Sequence, residues 1–475
     1  MTEHVNAKTR SAVVDRALLG AAAIVLVSAF VTAVHDMSQA WDVGYYHLPF
    51  AARLVGILPR ESFVFHAANA ARFEGFPLLG ERLQGILWRI TGRPECTNLV
   101  AFAAVPLFAW FLRARFAVPL HLTVLALFAV PLVQTHATSG YVDLPANAAA
   151  SVVILLAIES VASRTAPSAR MIALALGAAA VAANMKALLH PIVAVAIVVL
   201  AARVLAARAW RTLAVFAIAL PVVFATPLAN LAEHGNPYYP VQLSIAGHAL
   251  PGIEGAYDSS PPWLLHAPRP VRFACSLAEM RIRPMSEERR WTVDQWMPDE
   301  TGGNRMGGFF GAYVLANLAL LAWRAWRDRS REARVACVGF AVTTLVIACM
   351  PQSHELRYYM CWMIVLVAIN LELACRAGSE PPGPRAIGVV AFLAMAIVVA
   401  STRAAYVTPT GSRFEELVAK KVDARLLDGI RDGERVCVVR EPWNLLWAAQ
   451  FHAPKSYVVV EAERPEDCGG ARLLK

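Results

Sequence analysis

Eight ionisable residues lie where long apolar segments begin or end, and their types suit acid–base work and anion binding: Asp42, His47, Asp143, Lys186, His190, His354, Glu355 and Arg357. Asp42 sits in Trp41-Asp42-Val43-Gly44-Tyr45-Tyr46-His47-Leu48-Pro49. Its carboxylate could take a proton from a hydroxyl as general base or cap the helix that follows. Asp143, in Ser139-Gly140-Tyr141-Val142-Asp143-Leu144-Pro145, faces the same two readings, since a carboxylate is favourable at a helix N-terminus anyway. Lys186 and His190, four apart, would share one helix face. Lys186 is either a point charge for a phosphate or a side chain snorkelling to an interface. Arg357, in the turn Gln352-Ser353-His354-Glu355-Leu356-Arg357-Tyr358-Tyr359, is either a bidentate phosphate grip or an interfacial arginine beside a tyrosine belt.

The elements that must position these groups are membrane helices. Of 475 residues, 57% are hydrophobic and 17% charged, and the mean hydropathy is +0.48. Such a composition excludes a disordered, collagen-like or nucleic-acid-binding chain, and apolar runs of about 20 residues exclude a soluble enzyme. Eleven apolar segments are expected, at about 14–34, 96–112, 117–134, 141–162, 170–185, 187–207, 211–230, 306–323, 335–351, 358–375 and 386–402. The first, followed directly by Trp41 and Asp42, has no small-residue cleavage site and reads as a retained helix.

The net charge of +9 is placed by sidedness. With the N-terminus in the cytoplasm, 17 Lys and Arg fall on inner connections, against Lys186 and Arg357 on the short outer ones. All eight residues singled out then lie on the outer side, and an odd number of spans puts the C-terminus there as well.

Three stretches are too polar to be simple turns. The first outer loop, about 35–95, contains amphipathic stretches at Tyr46–Leu58 and Leu78–Ile90, which should lie in the interface plane. The second, about 231–305, is rich in Pro, Trp and charge, including Arg281, Arg283 and Glu287–Arg290. The tail, about 403–475, reads as a small extracytoplasmic α/β domain following a transmembrane domain of residues 1–402. It has a helix at Phe414–Ile430, strands at Arg435–Val439 and Ser456–Val460, and a helical Trp443–Gln450 between them. Cys437 and Cys468 could pair if that side is oxidising. Asn236-Pro237-Tyr238-Tyr239-Pro240 and Thr301–Gly308 read as structural hinges.

Five stretches together resemble the GT-C superfamily of membrane glycosyltransferases, in particular bacterial relatives of the protein mannosyltransferases and of the lipid A aminoarabinose transferase. They are Asp42 with Tyr46–Pro49, then Phe76-Pro77-Leu78-Leu79-Gly80-Glu81-Arg82, Ser139–Pro145, Gly235–Pro240 and His354–Tyr359. The resemblance implies that Asp42 is the catalytic base and Asp143 the second acidic position. It also implies that Lys186 and Arg357 hold a lipid-linked phosphate, with Tyr46, His47, His190, His354 and Glu355 contacting substrate. Many members carry two adjacent acids in the first loop, whereas Val43 follows Asp42, so Asp36, Glu74 or Glu81 would have to supply the second. A divalent metal stays open, with Asp42 and Asp143 as its ligands.

The expected reaction is an inverting transfer of a sugar from a polyprenyl-phosphate donor to a hydroxyl of a glycan, lipid or protein acceptor. It would take place on the periplasmic face of a bacterial inner membrane, with membrane lipid as the surroundings and no nucleic acid involved. An O-antigen ligase or polymerase is the near alternative. A secondary transporter is the distant one, but transporters set polar groups at midplane between repeated halves. Here the polar groups cluster at one interface and no repeat is seen.

Overall fold

The computed structural model describes residues 2–245, 247–255, 265–278, 308–328, 330–377, 382–402, 404 and 406–474, with side chains from residue 12 onward except that of Ile245. Arg281, Arg283 and Glu287–Arg290 lie outside the described residues, as does nearly all of Thr301–Gly308.

Helix α1, Thr2–His35, carries the chain to the first loop, where α2 (Leu48–Leu54), α3 (Ala67–Gly75) and α4 (Leu79–Thr91) follow. Then come α5 (Leu99–Phe116), α6 (Leu120–Phe128), α7 (Pro131–Ala137), α8 (Asp143–Ala162), α9 (Ala169–Met185), α10 (His190–Ala206), α11 (Trp210–Val223) and α12 (Ala225–His234). After α13 (Arg269–Leu277) the bundle is completed by α14 (Gly311–Arg327), α15 (Arg331–Cys349), α16 (Cys361–Ala377) and α17 (Pro384–Ser401). Each of the eleven apolar segments carries helix. Among the described residues, six helices are long and apolar enough to cross a membrane, or eight if each of two bent pairs counts as one span. The protein is a multi-pass membrane protein.

The bends have identifiable causes. Between α6 and α7 the axis turns by 101°, because Pro131 pushes Val130 out of helical backbone (φ −100, ψ 116). The expected segment 117–134 is therefore two short helices. Between α11 and α12 the turn is 58°, where Pro227 cannot coexist with a continuous helix through Val223. The carbonyls left over at Val222 and Val223 accept hydrogen bonds from the Asn184 amide at 3.0 and 3.2 Å. A polar side chain inside α9 thus satisfies backbone that hydrocarbon could not.

Helix α8 is the central post, buried along most of its length and packed by α5, α9, α10, α15 and α16. Asp143 opens it, so whatever α8 supports is held rigidly.

In the first loop, the expected Tyr46–Leu58 helix is a π-helical turn, Val43–His47, running into α2, and Leu78–Ile90 is α4. Strand β1 (Phe63–Val64) and helix α3 were not expected. In the second, β2 (Leu243–Ile245) and β3 (His248–Leu250) form an antiparallel hairpin. In the tail, Phe414–Ile430 is two helices, α18 (Phe414–Lys421) and α19 (Ala424–Asp428). The break comes where the Asp423 carboxylate accepts from the Arg425 N–H at 2.8 Å and so starts a new helix. Strand β4 is Arg435–Val439, β5 is Val458–Ala462 rather than Ser456–Val460, and β6 is Arg472–Leu474. Trp443–Gln450 forms two short 3₁₀ turns. The sheet is parallel in the order β1-β5-β4-β6. Its edge strand comes from the first loop, with Phe63 opposite Val459. Phe63, Trp88, Phe414, Val436, Leu446 and Val459 belong to one shared core, so loop and tail bury each other's apolar surface. Cys437 and Cys468 are disulfide-bonded across the tail.

Candidate functional site

Two carboxylate–cation pairs meet at one end of the bundle. Arg357, in the 3₁₀ turn Leu356–Tyr359 that leads into α16, donates from Nη1 to Asp42 Oδ2 at 2.9 Å and from Nη2 to the Tyr358 hydroxyl at 3.0 Å. Its guanidinium lies 5.3 Å from the centre of the Tyr141 ring and 4.8 Å from that of Tyr358. Lys186 ends α9 in extended backbone (φ −147, ψ 112), and its Nζ lies 2.9 Å from Asp143 Oδ1. The same ammonium stands 4.5 Å over the Tyr358 ring. Tyr358 therefore bridges the two pairs.

Asn147, fully buried one turn into α8, fixes this arrangement. Its amide donates to the carbonyl of Asp143 at 2.8 Å and to that of Arg357 at 3.3 Å, while its Oδ1 accepts from the Cys361 N–H at 2.9 Å. Gln84 on α4 donates to the Gly140 carbonyl at 2.7 Å, tying the first loop to the turn before α8. Gly44 lets the tail approach: a Cβ there would come within 2.6 Å of the Trp443 indole.

Tyr46 projects into the same neighbourhood. Burial holds its hydroxyl proton well above the ordinary tyrosine range; the charges of Asp42 and Asp143 push the same way, and Arg357 opposes them. Tyr46 is thus a neutral donor beside two carboxylates. His47, its ring centre 4.3 Å from that of Tyr46 and 5.9 Å from that of Tyr141, pairs through Nδ1 with Glu81 Oε1 at 2.7 Å, both side chains buried.

Of the residues singled out in the sequence, Asp42, Tyr46, Asp143, Lys186 and Arg357 converge. Neither aspartate is a helix cap: Asp42 has helical backbone with no side-chain bond to the turn it precedes, and Asp143 is already inside α8. Lys186 does not snorkel, because its partner is buried. The shared helix face of Lys186 and His190 does not exist, since α9 ends before Lys186 and α10 begins at His190. His190 is buried, donates from Nε2 to the Ala183 carbonyl at 2.8 Å and packs against Phe224 and Tyr238. His354 and Glu355 are buried beneath the turn, 3.7 Å apart.

Two of the three stand-ins for a second first-loop acid are committed elsewhere. Asp36 accepts from the Thr410 N–H at 2.6 Å, the Thr410 hydroxyl at 3.0 Å and the Gly411 N–H at 2.9 Å, latching the end of α1 to the tail. Glu81 is held by His47, and Glu74 is exposed. Among the described residues no three His, Cys, Asp or Glu gather as a metal site. Asp42 and Asp143 each face a protein cation, so the donors present do not fit a divalent ion.

Asn147 and Gln84 escaped the sequence reading. The signal for Asn147 was an amide inside an otherwise apolar helix.

Chemically, the cluster offers one carboxylate with 22% of its side chain exposed (Asp42), one buried carboxylate (Asp143), and two cations within reach of an incoming anion. No protein-family model matches this chain, and no curated protein does. Solved structures do. ArnT from Cupriavidus metallidurans bound to undecaprenyl phosphate superposes with a TM-score of 0.54 at 15% identity, over 94% of this chain and 86% of the other. The apo state of the same protein gives 0.55 at 12% identity, over 95% and 86%. Over nearly its whole length, this protein has the fold seen in these ArnT structures.

Proposed function

We propose that this protein is a polyprenyl-phosphate-dependent glycosyltransferase that moves a sugar to a hydroxyl acceptor with inversion. The observation that carries the reading is Asp42, partly open and paired with Arg357 beside a second cation, Lys186, at the head of α8. The solved ArnT structure with undecaprenyl phosphate supports a lipid-linked phosphate as the ligand class. In the step proposed, an acceptor oxygen bonds to the anomeric carbon as the bond from that carbon to the phosphate oxygen breaks. The electron pair leaves with the phosphate, and the acceptor proton passes to Asp42. A polyprenyl phosphate is a good leaving group, so the protein needs a base and cations rather than a strong acid.

Arg357 has both tasks. Its planar fork pairs with Asp42 at 2.9 Å and would also meet the departing phosphate, with Lys186 as a second point charge. Tyr46, Tyr141 and Tyr358 form the polar aromatic wall on which a sugar would lie.

The cluster belongs to the extracytoplasmic side of a bacterial inner membrane in this reading, with about eleven spans, the N-terminus inside, and residues 403–475 as a small outer domain. Three observations support that placement: the sidedness of Lys and Arg, the tail packed over Gly44, and the disulfide in that tail, which belongs in an oxidising compartment.

The test is Asp42→Asn in purified protein, assayed with the lipid-linked sugar that accumulates in a strain lacking the gene. Transfer should vanish while donor binding and the unfolding temperature hold. Near-normal turnover would overturn the assignment of the base.

A further inference from the structure

Away from the site just described, α8, α10 and α15 enclose a groove of about 410 Å³. Its walls are apolar, including Ile158, Val161, Val195, Val199, Val338 and Val342, and Arg331 and Arg334 stand at one end. All three helices are long and apolar enough to cross a membrane. Val338 is 64% exposed and Val195 40%, so the groove opens outward to hydrocarbon. From Arg331 to Val346 it follows α15 for roughly 22 Å at ~1.5 Å per residue, more than one leaflet of a ~30 Å hydrocarbon layer.

The arginines lie at the end of α8 remote from Asp143. Arg331 donates to the Val161 carbonyl at 2.9 Å, and Arg334 to the Ser330 carbonyl at 3.4 Å. Among the described residues neither has a carboxylate partner, and each guanidinium keeps most of its five N–H donors. Of the acids nearby, Glu159 is held by Arg115 at 2.6 and 2.8 Å, and Glu332, in the first turn of α15, makes no ion pair with either arginine. The N-terminus of α15 adds its own attraction for an anion.

We propose that this groove is a site for one anionic glycerophospholipid, an acyl chain lying between α10 and α15 over α8 and its phosphate held by Arg331 and Arg334. Charge complementarity selects the headgroup, and the open apolar wall selects the chain. The lipid belongs to the leaflet opposite the Asp42 site. The donor's phosphate, by contrast, has to reach Lys186 and Arg357 at the other end of α8. Holding three helices of the central post together, the lipid would support the scaffold rather than the chemistry.

Full-length protein purified in mild detergent tests this by native mass spectrometry and thermal unfolding with added phosphatidylglycerol, phosphatidylcholine or undecaprenyl phosphate. Phosphatidylglycerol should stay bound and raise the unfolding temperature, while phosphatidylcholine should do neither. Arg331→Gln with Arg334→Gln should weaken retention about 10-fold or more. Val338→Trp should block the groove with both charges intact and lower retention as well. Equal retention of the two phospholipids overturns the proposal on wild-type protein alone. Unchanged retention in either variant, or preferential occupancy by undecaprenyl phosphate that both variants abolish, overturns it too.

Discussion

The two ion pairs of the site look alike on paper and differ in what surrounds them. In Asp42–Arg357 both side chains keep some contact with solvent, 22% and 13%, and the carboxylate stands just before a π-helical turn of the first loop. In Asp143–Lys186 the carboxylate is 1% exposed and rooted in α8, a helix buried along most of its length. A partly open pair on a loop can give up its partner to an incoming group at modest cost. A buried pair cannot, because removing either charge strands the other in a low dielectric. The contrast assigns exchange to Asp42 and rigidity to Asp143.

The largest effect expected is on turnover. Asp42→Asn should lower the rate of sugar transfer by about 10²- to 10⁴-fold, as loss of a positioned base does, yet change stability by only about 1 kcal/mol, because the pair is partly exposed. Loss of folding instead would erase the distinction between the pairs. Next in size is Lys186→Met, which should cost about 3–5 kcal/mol by leaving Asp143 buried and alone. Adding Asp143→Asn should restore most of it, and chemical denaturation of both variants measures the difference. Failure of the double variant to recover would mean that Lys186 stabilises through Tyr358 rather than through Asp143.

A third experiment probes the ground on which the open pair rests. Glu461 on β5, buried and hydrogen-bonded to Asn69 and Asn444 where the tail meets the first loop, has its pKa pushed by burial from 4.5 to about 7. A raised carboxyl stays protonated in the folded protein while the unfolded chain ionises. Stability is therefore full below about pH 4.5 and falls until about pH 7, by up to about 3 kcal/mol. Glu461→Gln should flatten that slope in thermal unfolding across pH 4 to 8, and an unchanged slope would move its origin elsewhere. The smallest effect is set for Asn147→Ala, which leaves the Cys361 N–H without its partner and should cost about 1–3 kcal/mol. Because Asn147 ties the Arg357 backbone to α8, its loss should also raise the donor KM; a change in stability alone would limit it to a structural part.

Much of this was legible in the chain. Runs of apolar residues marked where helices form, since hydrocarbon leaves a backbone few alternatives. The scarcity of Lys and Arg on short outer connections drew attention to Lys186 and Arg357. Other features were hidden for physical reasons. The 101° break at Pro131 looks like continuous hydrophobicity, because proline alone does not state whether a helix kinks or ends. Lys186 and His190 have helical spacing, yet the chain leaves the helix between them. The edge strand Phe63–Val64 is two residues long and belongs to a sheet whose other strands begin at Arg435, a pairing that no local pattern encodes.

By itself, then, the sequence determined the helices, their approximate limits and the types of group available at one end of the bundle, because these depend on local hydrophobicity and on charge in connections. Only the tertiary structure decided who pairs with whom. Asp42 meets Arg357 across 315 positions of chain, and Asp143 meets Lys186 because α8 and α9 pack side by side. The match between an ion and its counter-ion depends on distance in space and on what excludes water around them, and neither is written in the order of residues.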